Sequence, residues 1–131
     1  MFLKTTFQMR YLFILTYFFI STASAEWVRL GERTHIDPST IKKNASTIRM
    51  WDLIDFGKTI TSQSSGIKYK SVTQYIEYDC NNEKWRMLSY NWHSGVMANG
   101  EVVANGRGDG LWDYVNPNST VKLKLDYVCA N

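Results

Sequence analysis

Alternating apolar and polar positions run through the chain after residue 46 and predict β-strands. In residues 47–56, Ile48, Met50, Ile54 and Phe56 share one face, while Arg49, Trp51 and Asp55 share the other. Only Asp52 interrupts the apolar face, so the segment is predicted to be a half-buried strand. The Ser- and Thr-rich residues 59–66 predict a loop. Residues 67–80 predict the next strand, which should bring Cys80 to the core side.

A hairpin is predicted next, with its turn at residues 81–83 and its second strand at residues 84–92. Plain alternation places one set of side chains on the face opposite Trp85 and Met87. These are Arg86, Leu88, Tyr90 and Trp92. Asn99-Gly100 and Asn105-Gly106 each indicate a tight turn, because Asn and Gly tolerate positive φ. Residues 101–103 should therefore form a short strand between two turns.

The C-terminal segment fits two secondary structures. Residues 121–127 alternate as a strand would, with Val121, Leu123, Leu125 and Tyr127 on one face. Val121, Leu125 and Val128 fit one face of a helix equally well, and Ser119 or Thr120 would make a good N-cap. The pattern alone does not decide between strand and helix.

The first 25 residues have the organisation of a secretory signal peptide. Two basic residues, Lys4 and Arg10, precede ten strongly apolar residues, and Ala23-Ser24-Ala25 is a small-x-small cleavage site. The apolar run is about half of the ~20 residues that a membrane-spanning helix needs. We therefore expect cleavage between Ala25 and Glu26, with residues 26–131 exported as one domain. No second apolar span follows, so the exported domain is expected to be soluble.

Charge and composition narrow the function classes. Loss of the signal lowers the formal net charge from +3 to about +1, and no basic run remains that would indicate nucleic-acid binding. Five Trp and six Tyr lie beyond residue 25, against a single Phe, Phe56. Trp and Tyr suit half-buried strands, and they also suit recognition surfaces. Both interpretations stay open at this point.

The two cysteines, Cys80 and Cys129, predict one internal disulfide in an exported chain. Such a bond closes a loop of about 50 residues, which is worth roughly 4 kcal/mol in the chain-entropy model. With His35 and His93 far apart, the spacing of a zinc site is absent. We also find no arrangement of nucleophile, base and orienting group, and no phosphate-binding loop. No catalytic, metal-binding or cofactor-binding residue is predicted, and no cofactor is expected.

One tripeptide, Arg107-Gly108-Asp109, matches the integrin-recognition signal of host matrix proteins. It lies between two glycines, which predicts an exposed, mobile turn. Arg107 and Asp109 are therefore kept as candidate contact residues. An ordinary surface turn is the alternative interpretation.

Several segments together resemble the surface-adhesin protein E family of small exported bacterial proteins. They include the block Ser71-Val72-Thr73-Gln74-Tyr75-Ile76-Glu77-Tyr78-Asp79-Cys80, Trp85-Arg86-x-Leu88, Trp112-x-x-Val115 and the final Val128-Cys129. The most specific element is Glu77-Tyr78-Asp79-Cys80, followed about 50 residues later by Val128-Cys129. The resemblance implies an α+β fold, in which one disulfide tethers a C-terminal helix to a curved antiparallel β-sheet. It also implies adhesion to host matrix or serum proteins, such as vitronectin and laminin, and self-association as a homodimer. No Cys follows the apolar run, so no lipid anchor is expected.

The sequence thus predicts a non-enzymatic binding module, located in the periplasm, at the cell surface or outside the cell. Trp51 and Arg49 are the leading contact candidates, because they lie on the outward face of their strand. The competing explanation is that the C-terminal helix packs over Trp51. The alternative function is a periplasmic inhibitor or accessory protein of the lysozyme-inhibitor type, since such proteins are also small, β-rich and closed by disulfides.

Overall fold

Two long strands, β4 (Thr47–Thr61) and β5 (Lys68–Asp79), form the centre of the fold. The computed structural model describes residues 25–130, which form eight strands and one α-helix. The other strands are β1 (Val28–Arg29), β2 (Thr34–Ile36), β3 (Lys42–Asn44), β6 (Lys84–His93), β7 (Val102–Arg107) and β8 (Asp113–Tyr114). They make one antiparallel sheet of order β1-β2-β4-β5-β6-β7, in which β3 also pairs with β4, and β8 with β6.

The C-terminal segment is a helix, α1 (Thr120–Ala130), as the family resemblance implied. Its first turn is capped by Ser119, whose Oγ accepts a hydrogen bond from the Lys122 backbone N–H at 3.2 Å. Leu125 and Val128 are buried against the apolar face of the sheet. The residues that they join there are Ile36, Ile48, Met50, Ile76 and Tyr78. We call this side of the sheet the helix-covered face.

The disulfide between Cys80 and Cys129 joins the end of β5 to the end of α1. The two Cα atoms are 5.8 Å apart, within the usual range for such bonds. The predicted disulfide and the predicted fold class are therefore both confirmed. The predicted signal peptide, apart from Ala25, lies outside the described residues.

A β-bulge at Leu88 corrects the predicted facing of β6. Ile76 pairs with Met87 and Tyr75 pairs with Ser89, so Leu88 is an extra residue opposite β5. Because of this insertion, Tyr90 and Trp92 lie on the same face as Trp85 and Met87. The prediction that they lie on the opposite face was wrong. Their rings form an aromatic cluster with Phe56 and Tyr69.

Two predicted loop segments are strand instead. β4 continues through Thr61, beyond the start of the loop predicted at residues 59–66, because Ile60 pairs with Tyr69 after an irregularity at Gly57. Asn105-Gly106 is not a turn, since β7 runs through it to Arg107. The glycine is needed there for close approach: a Cβ at Gly106 would lie 2.6 Å from the Tyr90 hydroxyl oxygen. The turn predicted at Asn99-Gly100 is present, with φ of +76° at Gly100.

Candidate functional site

The sheet face opposite α1, which we call the open face, carries a row of aromatic and arginine side chains. Trp51 and Tyr75 are cross-strand partners whose rings stack with centroids 5.0 Å apart. Both are only partly buried. The alternative in which α1 packs over Trp51 is wrong, because the residues that α1 covers, Met50 and Ile48, point to the other side of β4.

Next to this stack, Glu77 is held between two arginines. Its side chain is 2% exposed, and it accepts hydrogen bonds from Arg49 Nε and from Arg86 Nε and Nη2. The Arg86 guanidinium also lies over the Trp112 ring, 4.4 Å from its centroid. Burial alone would raise the pKa of Glu77, but the hydrogen bonds and charges of Arg49 and Arg86 outweigh burial and hold that pKa below its usual value.

Arg107 and Asp109 are the other contact candidates. Arg107 pairs with Ser89 of β6, which is the cross-strand partner of Tyr75, so the register places Arg107 on the open face in line with Tyr75. Arg107 is the last residue of β7, and the Asp109 carboxylate accepts a hydrogen bond from the Leu111 backbone N–H. Gly108 donates its N–H to the Leu88 carbonyl. The prediction of a turn at this tripeptide was wrong at Arg107, because that residue belongs to β7 and pairs with Ser89.

At the other end of the open face lies a cleft of about 650 Å³. Two tryptophans, Trp27 and Trp51, line it together with Met97. Its polar lining includes Thr73, Asn91 and His93, which neighbour one another on β5 and β6. The cleft thus combines large apolar surfaces with a compact group of hydrogen-bonding side chains, as small-molecule sites do.

The polar group in the cleft is internally connected. Asn91 Nδ2 donates to Thr73 Oγ1 at 3.4 Å, and Thr73 Oγ1 lies 2.9 Å from His93 Nε2. His93 is only 9% exposed, and burial lowers the pKa of its imidazole. Burial therefore favours the neutral form of His93.

A strained loop forms one wall of the cleft. Met97 and Ala98, consecutive non-glycine residues, have φ of +52° and +60°. Such conformations cost on the order of 1–3 kcal/mol each and persist only where the surroundings impose them. Here the fully buried Ser71 holds the loop, because its Oγ donates to the Gly95 carbonyl and accepts from the Ala98 N–H.

The sequence indicated Trp51, Arg49 and Arg107 as contact candidates but not the other residues of the open face. It assigned no role to His93, and Glu77, Arg86 and Trp112 were only parts of a family motif. The strongest sequence signal for the charge cluster was alternation, which puts Glu77 on the same face as Tyr75; its pairing with Arg49 follows from the register of β4 and β5. The cleft gave no such signal, because its polar group depends on the bulge at Leu88.

Residues 25–130 contain no group of three or more His, Cys, Asp or Glu side chains placed to hold a metal ion. Within the same residues, no helix has the length and apolar character to cross a membrane.

Comparison with known proteins gives a family and a fold. A search of curated protein sequences finds no match. Crystal form II of Haemophilus influenzae protein E matches with a TM-score of 0.66 and 16% identity, over 79% of this chain and 87% of that one. Protein E from non-typeable Haemophilus influenzae matches with a TM-score of 0.60 and 15% identity, over 85% and 80%. The family model for surface-adhesin protein E matches residues 27–130. The chain therefore belongs to the surface-adhesin protein E family.

Proposed function

We propose that this adhesin-family protein is an exported, non-enzymatic binding module that captures host extracellular-matrix or serum proteins through its open face. In this proposal the signal peptide is removed after Ala25, and residues 26–131 act as one domain without a lipid anchor. The proposal includes self-association of the domain as a homodimer, which light scattering of the purified domain would detect.

One observation carries the proposal: aromatic and arginine side chains form a connected row on the face that α1 leaves uncovered. These residues are Arg49, Trp51, Tyr75, Arg86 and Trp112. Trp, Tyr and Arg are the residue types that most often dominate the energy of protein–protein interfaces. Glu77 fixes both arginines in place, so less side-chain entropy is lost when a partner binds.

Charge favours an acidic patch on the partner protein. Glu77 neutralises one of the two arginines, and the cluster keeps a net positive charge. Arginine can present its guanidinium to a carboxylate with two parallel hydrogen bonds. An acidic patch flanked by apolar side chains would therefore complement the arginines and tryptophans of the row.

The test is binding of purified residues 26–131 to immobilised vitronectin, laminin and whole serum proteins. Trp112→Ala should weaken binding by roughly 30-fold, the effect of losing one hot-spot residue. Tyr114→Ala is the matched control, because Tyr114 is a neighbouring aromatic that is 73% exposed and lies outside the row. Circular dichroism should show both variants folded.

Two results would contradict the proposal. One is the absence of binding by the unaltered domain to any of these matrix and serum proteins. The other is an equal loss of binding in Trp112→Ala and Tyr114→Ala, which would remove the row from the interface.

A further inference from the structure

The cleft beside Trp51 has the properties of a built site. Its wall at residues 95–98 includes two strained residues, Met97 and Ala98, and buried Ser71 holds that wall in place. Strain of this kind tends to gather at ligand sites. The matrix-binding row described above does not use this wall, so its rigid shape calls for a separate explanation.

Among residues 25–130, one ring nitrogen of His93 has no hydrogen-bond partner. His93 Nε2 lies 2.9 Å from Thr73 Oγ1, and either atom can be the donor, because a hydroxyl has one proton and two acceptor lone pairs. Thr73 Oγ1 also accepts a hydrogen bond from Asn91 Nδ2. In either tautomer of the neutral ring, Nδ1 is therefore left for a ligand, as a donor or as an acceptor.

The charges around the cleft disfavour an anionic ligand. No Lys or Arg lines the cleft in the part of the chain that the structure describes, so an anion would find no counter-charge. The one lining carboxylate, Asp37, accepts hydrogen bonds from the Ser39 backbone N–H and hydroxyl at Oδ1, which leaves Oδ2 able to accept from a ligand hydroxyl. A purely apolar ligand is also disfavoured, because it would leave His93 Nδ1 without a partner at a cost of about 1–3 kcal/mol.

We propose that the cleft binds one ring of a neutral saccharide. A sugar ring has an apolar C–H face that can lie on the indoles of Trp27 or Trp51, and it has hydroxyls that both donate and accept. Such a hydroxyl can pair with His93 Nδ1 as acceptor or as donor, and it can donate to the amide oxygen of Asn91. This ligand differs from the matrix or serum protein surface proposed above, and the proposal does not rest on that function.

The test uses nuclear magnetic resonance of isotope-labelled residues 26–131. Glucose, galactose, N-acetylglucosamine and lactose are added separately at millimolar concentrations, with the open-chain polyol sorbitol as a control probe. At least one sugar should shift the indole N–H signals of Trp27 and Trp51 and the ring signals of His93 in a saturable manner. Sorbitol should leave these signals in place.

Positions 91 and 105 provide a pair of matched variants. Asn91→Leu removes the amide and should weaken saccharide binding roughly tenfold, an effect expected for a lost hydrogen bond in a polar site. Asn105→Leu is the control, because Asn105 is the cross-strand partner of Asn91 on the edge strand and does not line the cleft. It should bind the sugar as the unaltered domain does.

The proposal is overturned if no sugar produces saturable shifts in the cleft, or if sorbitol produces the same shifts. It is also overturned if Asn105→Leu weakens binding as much as Asn91→Leu. Failure here leaves the matrix-binding proposal intact, since that proposal is tested with Trp112→Ala and a protein ligand.

Discussion

Lys124 Nζ donates to Asp52 Oδ2 at 2.6 Å and so joins α1 to the middle of β4. The two side chains are 5% and 0% exposed, which makes this a fully buried ion pair on the helix-covered face. Burial raises the pKa of Asp52, and the charge and hydrogen bond of Lys124 oppose that rise. The second carboxylate oxygen, Oδ1, has no hydrogen-bond partner among the described residues. The lysine is therefore what makes a carboxylate tolerable beneath the helix.

Lys124→Met should lower the free energy of unfolding by about 3–5 kcal/mol at pH 7, because Asp52 is left buried without its partner. The double variant Asp52→Leu with Lys124→Met should lie within about 2 kcal/mol of the unaltered domain, since no buried charge remains. Urea denaturation measures both. A double variant as unstable as the single one would show that the pair, and not the isolated charge, carries the energy.

Glu77 should make the domain less stable in acid. The folded-state pKa of Glu77 is lowered, so its carboxylate stabilises the folded domain. This stabilisation is fully present above the unfolded-state pKa of about 4.5 and is lost as the pH falls through the folded-state pKa. Glu77→Gln should therefore lower the free energy of unfolding by about 2 kcal/mol at pH 7 and by almost nothing near pH 2. Urea midpoints measured across this range provide the test. A cost that does not change with pH would assign the effect to packing.

Removing the disulfide should weaken the domain by about 4 kcal/mol, because Cys80 and Cys129 close a loop with a sequence separation of 49. The double variant Cys80→Ser with Cys129→Ser provides the measurement by urea denaturation. Treating the unaltered domain with a reductant should lower its midpoint by a similar amount. If the reductant leaves the midpoint where it was, the bond contributes little to stability.

Gly108→Ala should destabilise the domain by about 2–3 kcal/mol, an overpacking cost. A Cβ at this position would lie only 1.9 Å from the Met87 carbonyl oxygen, so β7 would have to move away from β6. Gly110→Ala is the control, because its φ is +74° but nothing lies within 4 Å of the added Cβ. We expect that change to cost about 1 kcal/mol. Thermal melts showing equal losses would contradict the steric argument.

Processing should leave a mature chain that begins at Glu26, next to the cleft-lining Trp27. Intact-mass measurement of the exported protein would show this directly. Ala25→Leu should slow cleavage, because the cleavage site requires a small residue at that position. Exported protein that still carries residues 1–25 would rule out this prediction.

Much of the fold could be predicted because it depends on short-range patterns. The alternation in residues 47–56 correctly placed Trp51 and Arg49 on the face away from Ile48 and Met50. The α1 segment was different, because residues 121–128 fit a strand and a helix equally well. Only the family resemblance favoured the helix, and in the structure Leu125 and Val128 pack against the sheet.

The errors came from features that depend on a partner strand. Leu88 is apolar and fits the alternation of Arg86 and Tyr90, so nothing in its own segment indicates a bulge. Its insertion is visible only against Tyr75 and Ile76 of β5. Gly106 was likewise taken as a turn signal, whereas it is small because the Tyr90 side chain lies over it.

The bulge at Leu88 divides β6 into two halves. Odd-numbered side chains lie on the helix-covered face in the first half, and even-numbered side chains lie on that face in the second half. If this residue were deleted, side chains would alternate regularly along the whole of β6. One half of the strand could then keep its side chains on their present faces only if those of the other half moved to the opposite faces. Keeping Arg86 beside Glu77 would then turn Tyr90 and Trp92 out of the aromatic cluster and take Asn91 and His93 away from the cleft. The cleft therefore depends on the length of the chain between Arg86 and Asn91 as much as on the identity of its residues.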